Sequence, residues 1–288
     1  MASFLILGGT GKVGRRVNRS LTLAGHTARP VSRNSAARFD WWDYSTWPAA
    51  LSGADELFIV GPGSASDWSP RLTDLLAAAR SAGVRRAVLL SARGVEFLPD
   101  GAVALAEQAL REGPLPWTIL RPAHFAQNFT EAMFTPRDGL IEAPVGAGAE
   151  PFIDAADVAA VAAAVLAGGG FEGETLDLSG PEAVSFTDAA AILAEASGTP
   201  VRFADEADAD HVARLHAAGT PEGYIRWRMA MLGGIRRGAD AYLSDGVQRV
   251  LGRPATGLRE WARREVPSSG WAVAARAERG RAVRLAQA

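Results

Sequence analysis

Phe4-Leu5-Ile6-Leu7-Gly8-Gly9-Thr10-Gly11-Lys12-Val13-Gly14 is the stretch that decides the fold of this chain. Four apolar residues without a break read as a strand buried on both faces. Gly8, Gly11 and Gly14 follow at three-residue spacing. Val13, Val17, Leu21 and Ala24 then recur at helical spacing as far as Gly25, which reads as a left-handed cap. In a strand–turn–helix unit of this kind the first glycine permits the tight turn and the second lets backbone approach a pyrophosphate. The third lets helix and strand pack closely. The free N–H groups at the helix start, with the positive end of its dipole, face the phosphates, and Thr10 adds a hydroxyl donor. A glycine-rich turn with no ligand is the competing reading. No Gly-Lys-Ser/Thr follows four variable residues, so the loop is not that of a nucleoside triphosphatase. Lys12 is the only lysine in the sequence, which removes lysine from the catalytic candidates everywhere else.

Outward from this loop, strand-like and helix-like patterns alternate as far as residue 125. Thr27 to Ser32 reads as a second strand and Arg38-Phe39-Asp40-Trp41 as a third. Leu57-Phe58-Ile59-Val60 is a buried strand stopped by Gly61-Pro62-Gly63. Ser69-Pro70 reads as an N-cap with proline at the first helical position, before Leu72, Leu75, Leu76 and Ala79. Ala87 to Ser91 and Trp117 to Arg121 are further strands, flanking a helix through Val103, Ala106, Ala109 and Leu110. This alternation predicts an α/β fold, a doubly wound Rossmann parallel sheet with right-handed crossovers and helices on both faces. The second half predicts a smaller, mainly helical C-terminal substrate-binding region. Asp154 with Asp157, and Ser185 with Asp188, read as helix-start caps. A strand runs from Thr175 to Leu178, and Asp205 to Glu265 is mostly helical, with breaks at Gly219-Thr220-Pro221 and Gly252-Arg253-Pro254. One domain is expected over residues 1–266, with a Rossmann core to about 125 and the remainder completing the sheet and forming the substrate region. Residues 267–288 read as a flexible tail.

Composition narrows the classes of function. The 288 residues are 48% hydrophobic and 22% charged with a formal net charge of −2. That gives no reason to expect nucleic acid or a membrane surface as partner. There is no cysteine, so disulfides, thiolate metal sites and cysteine nucleophiles are excluded. No basic leader precedes the first apolar run, and no apolar stretch approaches the ~18 residues of a bilayer span. A cytoplasmic protein acting on a small molecule is expected, in an oligomeric state the sequence leaves open, monomer or homodimer.

Cofactor choice is read where the second strand ends. An acidic residue there binds the ribose hydroxyls of NAD, whereas arginine meets the 2′-phosphate of NADP. This chain has Val31-Ser32-Arg33-Asn34 and no acid. Arg33 suits a planar, multidentate phosphate contact and Ser32 offers a hydroxyl, so NADPH is expected rather than NADH. Lys12 adds a second positive charge, or is simply an exposed loop lysine.

With these residues in place the chain resembles the NmrA-like atypical short-chain dehydrogenase/reductase family from about residue 3 to 266. Within it, the likeness is strongest to the ergot-alkaloid (agroclavine/festuclavine) dehydrogenase-type subfamily of secondary metabolism. The carrying segments are Gly8 to Gly14, Phe39-Asp40-Trp41-Trp42-Asp43, Gly83 to Ala92, Leu120-Arg121-Pro122, Phe125 with Asn128, Pro151 to Ala159, and Gly238-Ala239-Asp240. The resemblance implies that Gly8, Thr10, Gly11, Lys12, Val13 and Gly14 cradle the pyrophosphate while Ser32 and Arg33 meet the adenosine phosphate. It implies that Asp40 and Trp41 lie near the adenine and that Gly61, Pro62, Ser91 and Ala92 border the ribose and nicotinamide. Pro122 to Phe125 would close over the nicotinamide face.

Orthodox short-chain dehydrogenases use Tyr-x-x-x-Lys. None of Tyr44, Tyr224 and Tyr242 is followed by lysine at that spacing, and the resemblance aligns Val103 and Glu107 with the missing pair. Hydride transfer needs only a cofactor ring held against an electrophilic carbon. A carbonyl also needs a proton donor, whereas an iminium does not and a quinone can draw on solvent. The expectation is therefore an NADPH-dependent oxidoreductase delivering hydride to a small organic electrophile of imine/iminium or quinone type. A non-catalytic NADP(H)-sensing regulatory protein is the alternative, and an epimerase using bound cofactor a third reading.

His124 and Ser91 are the catalytic candidates, the first for substrate contact or proton donation, the second for a bond to nicotinamide or substrate oxygen. For His124 the rival reading is a loop histidine bonded to backbone. Substrate contacts are assigned to His124, Phe125, Asn128 and Trp227. Asn128, with Gln127, also reads as a loop tie, and Trp227, with Met229 and Met231, also reads as core. No metal is expected, because His211 and His216 stand about 140° apart around a helix.

Overall fold

Alternation within β1 (Ser3–Leu7) sends Leu5 and Leu7 to one face and Phe4 and Ile6 to the other, and all four are buried. A strand of this kind must be covered on both sides, and the rest of the first half supplies the covers. The computed structural model describes residues 2–277. After β1 come α1 (Gly14–Leu23), β2 (Thr27–Val31), α2 (Trp47–Leu51), β3 (Glu56–Val60) and α3 (Ser69–Ser81). Next are β4 (Arg86–Leu90), α4 (Ala102–Arg111), β5 (Trp117–Pro122), α5 (Asn128–Glu131), β6 (Leu140–Ala143) and β7 (Ala149–Glu150). The chain continues through α6 (Ala155–Gly168), β8 (Glu174–Leu178), β9 (Val184–Ser185), α7 (Phe186–Ser197) and β10 (Arg202–Asp205). It ends its named elements with α8 (Asp208–Ala217), α9 (Glu222–Arg236), α10 (Gly246–Leu251) and α11 (Leu258–Glu265).

Six strands form one parallel sheet in the order β2-β1-β3-β4-β5-β8. The chain winds outward in opposite directions from β1 and β3, so the crevice at their carboxyl ends is the topological switch point where open α/β sheets bind ligands. Leu5, Leu57 and Leu89 pack with Leu72, Leu76 and Leu110 of α3 and α4 on one face. Phe4, Phe58 and Val88 pack with Val17 of α1 and Val158 and Val165 of α6 on the other. A third core lies under the second half, where Phe129, Phe134, Phe152 and Phe186 meet edge to face or tilted, with Trp261 in the same cluster. Such pairs add to what burial alone supplies.

Gly25, Ser185 and Asp154 cap their helices as expected, and two other expected caps do not. Gly25 has φ +83°. Ser185 Oγ accepts from the Asp188 N–H at 3.1 Å, and Asp154 Oδ1 accepts from the Ala156 N–H at 2.8 Å. Asp157 is not a cap. It is buried and holds the connection to α11, accepting from Arg253 Nη2 (2.7 Å) and the Thr256 N–H (2.6 Å). Ser69 lies one position inside α3, with Trp68 at the cap and Asp67 accepting the Ser69 N–H at 2.8 Å.

Two readings are corrected. Arg38 to Trp41 is not a strand, and its only sheet-like contact is an isolated bridge between Ser32 and Arg38. The Asp40 N–H donates to Thr46 Oγ1 (3.1 Å) and Asp40 Oδ1 accepts the Trp42 N–H (3.0 Å), so local turns consume the polar groups a ladder would pair. The tail expected to be flexible from residue 267 carries a helix over 270–277. Ala272 is fully buried, and Trp271 Nε1 donates to the Phe129 carbonyl at 3.0 Å. An indole facing that aromatic core is enough to tie the segment down. Residues 278–288 of the expected tail lie outside the described residues. The short pairs β6–β10 and β7–β9 were not anticipated, because two- to four-residue strands show too little alternation to register.

Asp154 joins the two halves: it caps α6, accepts Gln127 Nε2 at 2.7 Å and pairs with Arg264. Asp154→Ala should cost about 3 kcal/mol, read as a lower urea midpoint at unchanged m value.

Candidate active site

The carboxyl ends of β1, β3, β4 and β5 open on a cleft of about 420 Å³, walled on the far side by Tyr224, Trp227 and Met231 of α9. The turn after β1 forms one edge. Gly8 has φ +67°, and a Cβ on Gly14 would lie 2.3 Å from the Gly8 carbonyl oxygen. A Cβ on Gly9 would lie 2.4 Å from Pro30 Cβ. No side chain caps α1 and no acid stands in its first turn. The positive end of the helix is thus left for an anion. Lys12 turns toward the cleft, where Nζ donates to Asn128 Oδ1 at 2.9 Å and lies 5.8 Å from the centre of the Phe125 ring. Burial lowers its pKa, and Glu131 works against the change.

Of the residues singled out in the sequence, Lys12, Gly61, Ser91, Ala92, Pro122, His124, Phe125, Asn128 and Trp227 share this cleft. Gly8, Thr10, Gly11, Val13 and Gly14 form the turn that carries Lys12. Pro62 is exposed beside Gly61. Ser32 and Arg33 follow β2, next to the loop: the Gly9 N–H donates to the Val31 carbonyl at 3.1 Å. Arg33 is exposed and makes no hydrogen bond or ion pair among the described residues. Trp41, expected at the adenine, has its indole in the core at 8% exposure, edge-on to Trp68 and Phe39. Only its backbone remains for that role, and Trp42 is the exposed member of the pair. Gln127 ties its loop to α6, as its Oε1 accepts the Ala155 N–H at 2.9 Å.

Behind Ser91 stands a buried carboxylate. Ser91 Oγ donates to Glu107 Oε1 at 2.5 Å. Arg121 reaches both oxygens of Glu107, Nε at 2.8 Å and Nη2 at 2.5 Å, and Arg111 adds a bond at 2.8 Å. Burial works to raise the Glu107 pKa, but Arg121, Ser91 and Arg111 outweigh it and hold it below the ordinary range. The Ser91 proton is therefore committed, and toward the cleft this hydroxyl can only accept.

His124 sits on a second network. Glu150 Oε1 accepts the His124 backbone N–H at 2.9 Å and lies 3.1 Å from its Nδ1. Glu150 is fully buried and its Oε2 has no partner among the described residues. Nearby, Arg93 Nε lies 3.0 Å from Asp240 Oδ1, and Arg93 Nη2 donates to the carbonyls of Asp240 (3.1 Å) and Tyr242 (2.9 Å). Donor atoms of His124, Glu150 and Asp240 lie within 4.8 Å of one another; the buried Arg93 guanidinium already supplies a cation to this set. Burial lowers the His124 pKa, but the Glu150 carboxylate outweighs it and the net shift is upward. Burial, then Glu150, pushes Asp240 up to about 7.

Glu150, Arg93 and Asp240 escaped the functional reading of the sequence. A lone glutamate within Gly146-Ala147-Gly148-Ala149-Glu150-Pro151-Phe152-Ile153 was the available signal, because a carboxylate in an otherwise apolar run needs a buried partner. His211 and His216 are used separately, the first buried against Glu206 at 2.5 Å, the second 3.6 Å from Glu222.

Comparison with known proteins identifies the family and the fold. The pattern of the NAD(P)H-binding family matches residues 8–168. The chain is 33% identical to the uncharacterized oxidoreductase YesF of Bacillus subtilis, over 90% of this chain and 93% of that protein. It is 30% identical to the NAD(P)H azoreductase of Xenophilus azovorans, over 92% and 99%. Among solved structures, the NADPH-dependent quinone oxidoreductase QOR2 of Escherichia coli, complexed with NADPH, superposes with a TM-score of 0.77 at 25% identity, covering 91% of this chain and 98% of that one. Among the described residues no helix is long and apolar enough to cross a membrane.

The raised carboxyl of Asp240 makes stability depend on pH with a defined sign. Between its unfolded value of about 3.9 and a folded value of about 7 the native state holds the extra proton, so stability falls as pH rises. His124, also raised, acts in the same direction at higher pH. The urea midpoint of the unsubstituted protein relative to that of Asp240→Asn should therefore fall as pH rises from about 4 to 7.

Proposed function

The chain belongs to the NAD(P)H-binding family, and from that premise we propose that it is an NADPH-dependent reductase of small, largely apolar organic electrophiles of imine/iminium or quinone type. The observation that carries the proposal is a cleft at the switch point, bounded by a helix start without side-chain cap or acid, with the exposed Arg33 following β2 beside the glycine turn.

The residues fit a dinucleotide. A glycine turn that a Cβ would fill lets backbone approach a pyrophosphate, and Lys12 reinforces the positive helix end. Arg33 would take the 2′-phosphate, with Ser32 beside it. No acid follows β2 to favour NAD. When bound, the reduced nicotinamide supplies a hydride. Ser91, its own proton given to Glu107, would accept from the carboxamide. Gly61 lies against Trp68 so tightly that a Cβ would come within 2.3 Å of the indole, which fixes the cleft wall where the ribose would pass. Phe125, Trp227 and Met231 make the opposite surface apolar and exclude water. The indole N–H of Trp227 is buried without a partner among the described residues, and a substrate oxygen or nitrogen would satisfy it. His124 faces the same space. No Tyr-x-x-x-Lys occurs in the sequence; of the two residues that the resemblance sets against that pair, Val103 lines the cleft and Glu107 is bound to arginines. Relatives that reduce azo compounds and quinones with NAD(P)H or NADPH support the acceptor class.

Titration by tryptophan quenching should show tighter binding of NADPH than of NADH. Arg33→Ala should weaken NADPH by about tenfold to a hundredfold while leaving NADH nearly unmoved; equal binding of both cofactors by the unsubstituted protein sinks the Arg33 assignment. Loss of NADPH absorbance across quinones, cyclic imines and enones tests turnover. No turnover on any of them, with a partner protein captured only in one redox state, would replace the enzyme by a sensor.

A further inference from the structure

The second network adds what the sequence did not offer, buried carboxylates behind the histidine that faces the cleft. Resting on the cofactor placement above, we propose that His124 donates a proton to the substrate with Glu150 and Asp240 as its positioning partners, and that the substrate is a neutral acceptor whose reduction leaves charge on oxygen or nitrogen, not a permanent iminium cation.

The geometry selects His124. Its Nδ1 is held by Glu150, and Glu150 itself is fixed by the His124 backbone N–H and by pairing of β7 with β9. The ring keeps 11% side-chain exposure on the cleft, and Nε2 has no protein partner among the described residues. The other cleft hydroxyl with a known bond, Ser91, has given its proton away.

The charges around the ring point the same way. The groups facing His124 are Glu150 on β7, Asp240 after α9, Arg228 within α9, and Arg93 behind Asp240. Arg93 is paired with Asp240, and Arg228 opposes a proton on the imidazole, but the carboxylate in contact with the ring is Glu150, and its pull outweighs the opposing effects. A charged imidazole beside Glu150 compensates a buried carboxylate whose Oε2 has no partner among the described residues. The cleft-facing holder of the proton is the imidazole. A permanent cation in this cleft would also meet Lys12, whose hydrogen-bond partner is the neutral amide of Asn128.

The step balances as follows. A bound reduced nicotinamide would supply the hydride to the electrophilic atom, and the displaced π pair would come to rest on oxygen or nitrogen. The Nε2–H bond of His124 breaks and its proton moves to that atom. The imidazole is left neutral with Nδ1–H held by Glu150, and it regains a proton from solvent once the product has left.

The test compares the unsubstituted protein with His124→Gln, Glu150→Gln and Tyr224→Phe on a quinone, a conjugated ketone and an N-alkylated cyclic iminium. His124→Gln should lose about a hundredfold more rate on the neutral acceptors than on the iminium, and Glu150→Gln about tenfold more. The iminium serves as the control for folding and cofactor binding. Independently of turnover, the His124 imidazole followed by NMR should titrate lower in Glu150→Gln than in the unsubstituted protein. Equal losses on both acceptor classes, an unsubstituted protein that reduces only the iminium, a selective loss with Tyr224→Phe in place of His124→Gln, or an unmoved titration would overturn the proposal. Failure to bind NADPH would instead sink the cofactor placement on which it rests.

Discussion

Gly14 and the carbonyl of Gly8 approach so closely that no side chain fits between them, and the placement of the whole cleft follows from that contact. It brings the start of α1 down onto the end of β1, aims the helix dipole across the switch point and turns Lys12 inward. Gly9 imposes a second limit against Pro30, which brings the end of β2, and with it Arg33, beside the same turn. The burial of β1 on both faces fixes the strand that this turn leaves, so the ligand-facing edge inherits the rigidity of the core.

Much of this was legible beforehand because it rests on local patterns. Unbroken apolar runs identified β1 and β3, glycine spacing identified the turn, and helical periodicity identified α1 and α3. What could not be read depends on partners distant in sequence. The strand-like Arg38 to Trp41 segment is claimed by its own Asp40 and by Thr46 instead of a neighbouring strand. The helix over 270–277 owes its place to a carbonyl of residue 129. Residues of the cleft that stand at strand ends, such as Ser91 and His124, could be named from position alone. Their chemistry could not, because it is set by Glu107 and Glu150, which come from a helix and from a two-residue strand.

Those two carboxylates show how context divides one residue type. Both are almost wholly buried. Glu107 meets two arginines and a hydroxyl and is locked as a permanent anion, so it orders β5 and immobilises Ser91. Glu150 meets one imidazole and a neighbouring acid that is already paired with Arg93. The first arrangement has nothing left to exchange, whereas the second rests on an imidazole whose other nitrogen faces the cleft. One cleft thus carries a pinned carboxylate from a helix behind Ser91 and a second carboxylate from a two-residue strand behind His124.

Lys12 is also the only side-chain amine this protein possesses. Acylating agents, aldehydes and amine-directed cross-linkers meet arginines almost everywhere else, and arginine does not react with them as lysine does. Any covalent mark on a side-chain amine therefore lands within the cleft, next to Asn128 and Phe125. The composition of the surface has made the loop lysine a natural single-point reporter, and its reactivity would register whether the cleft is filled or empty.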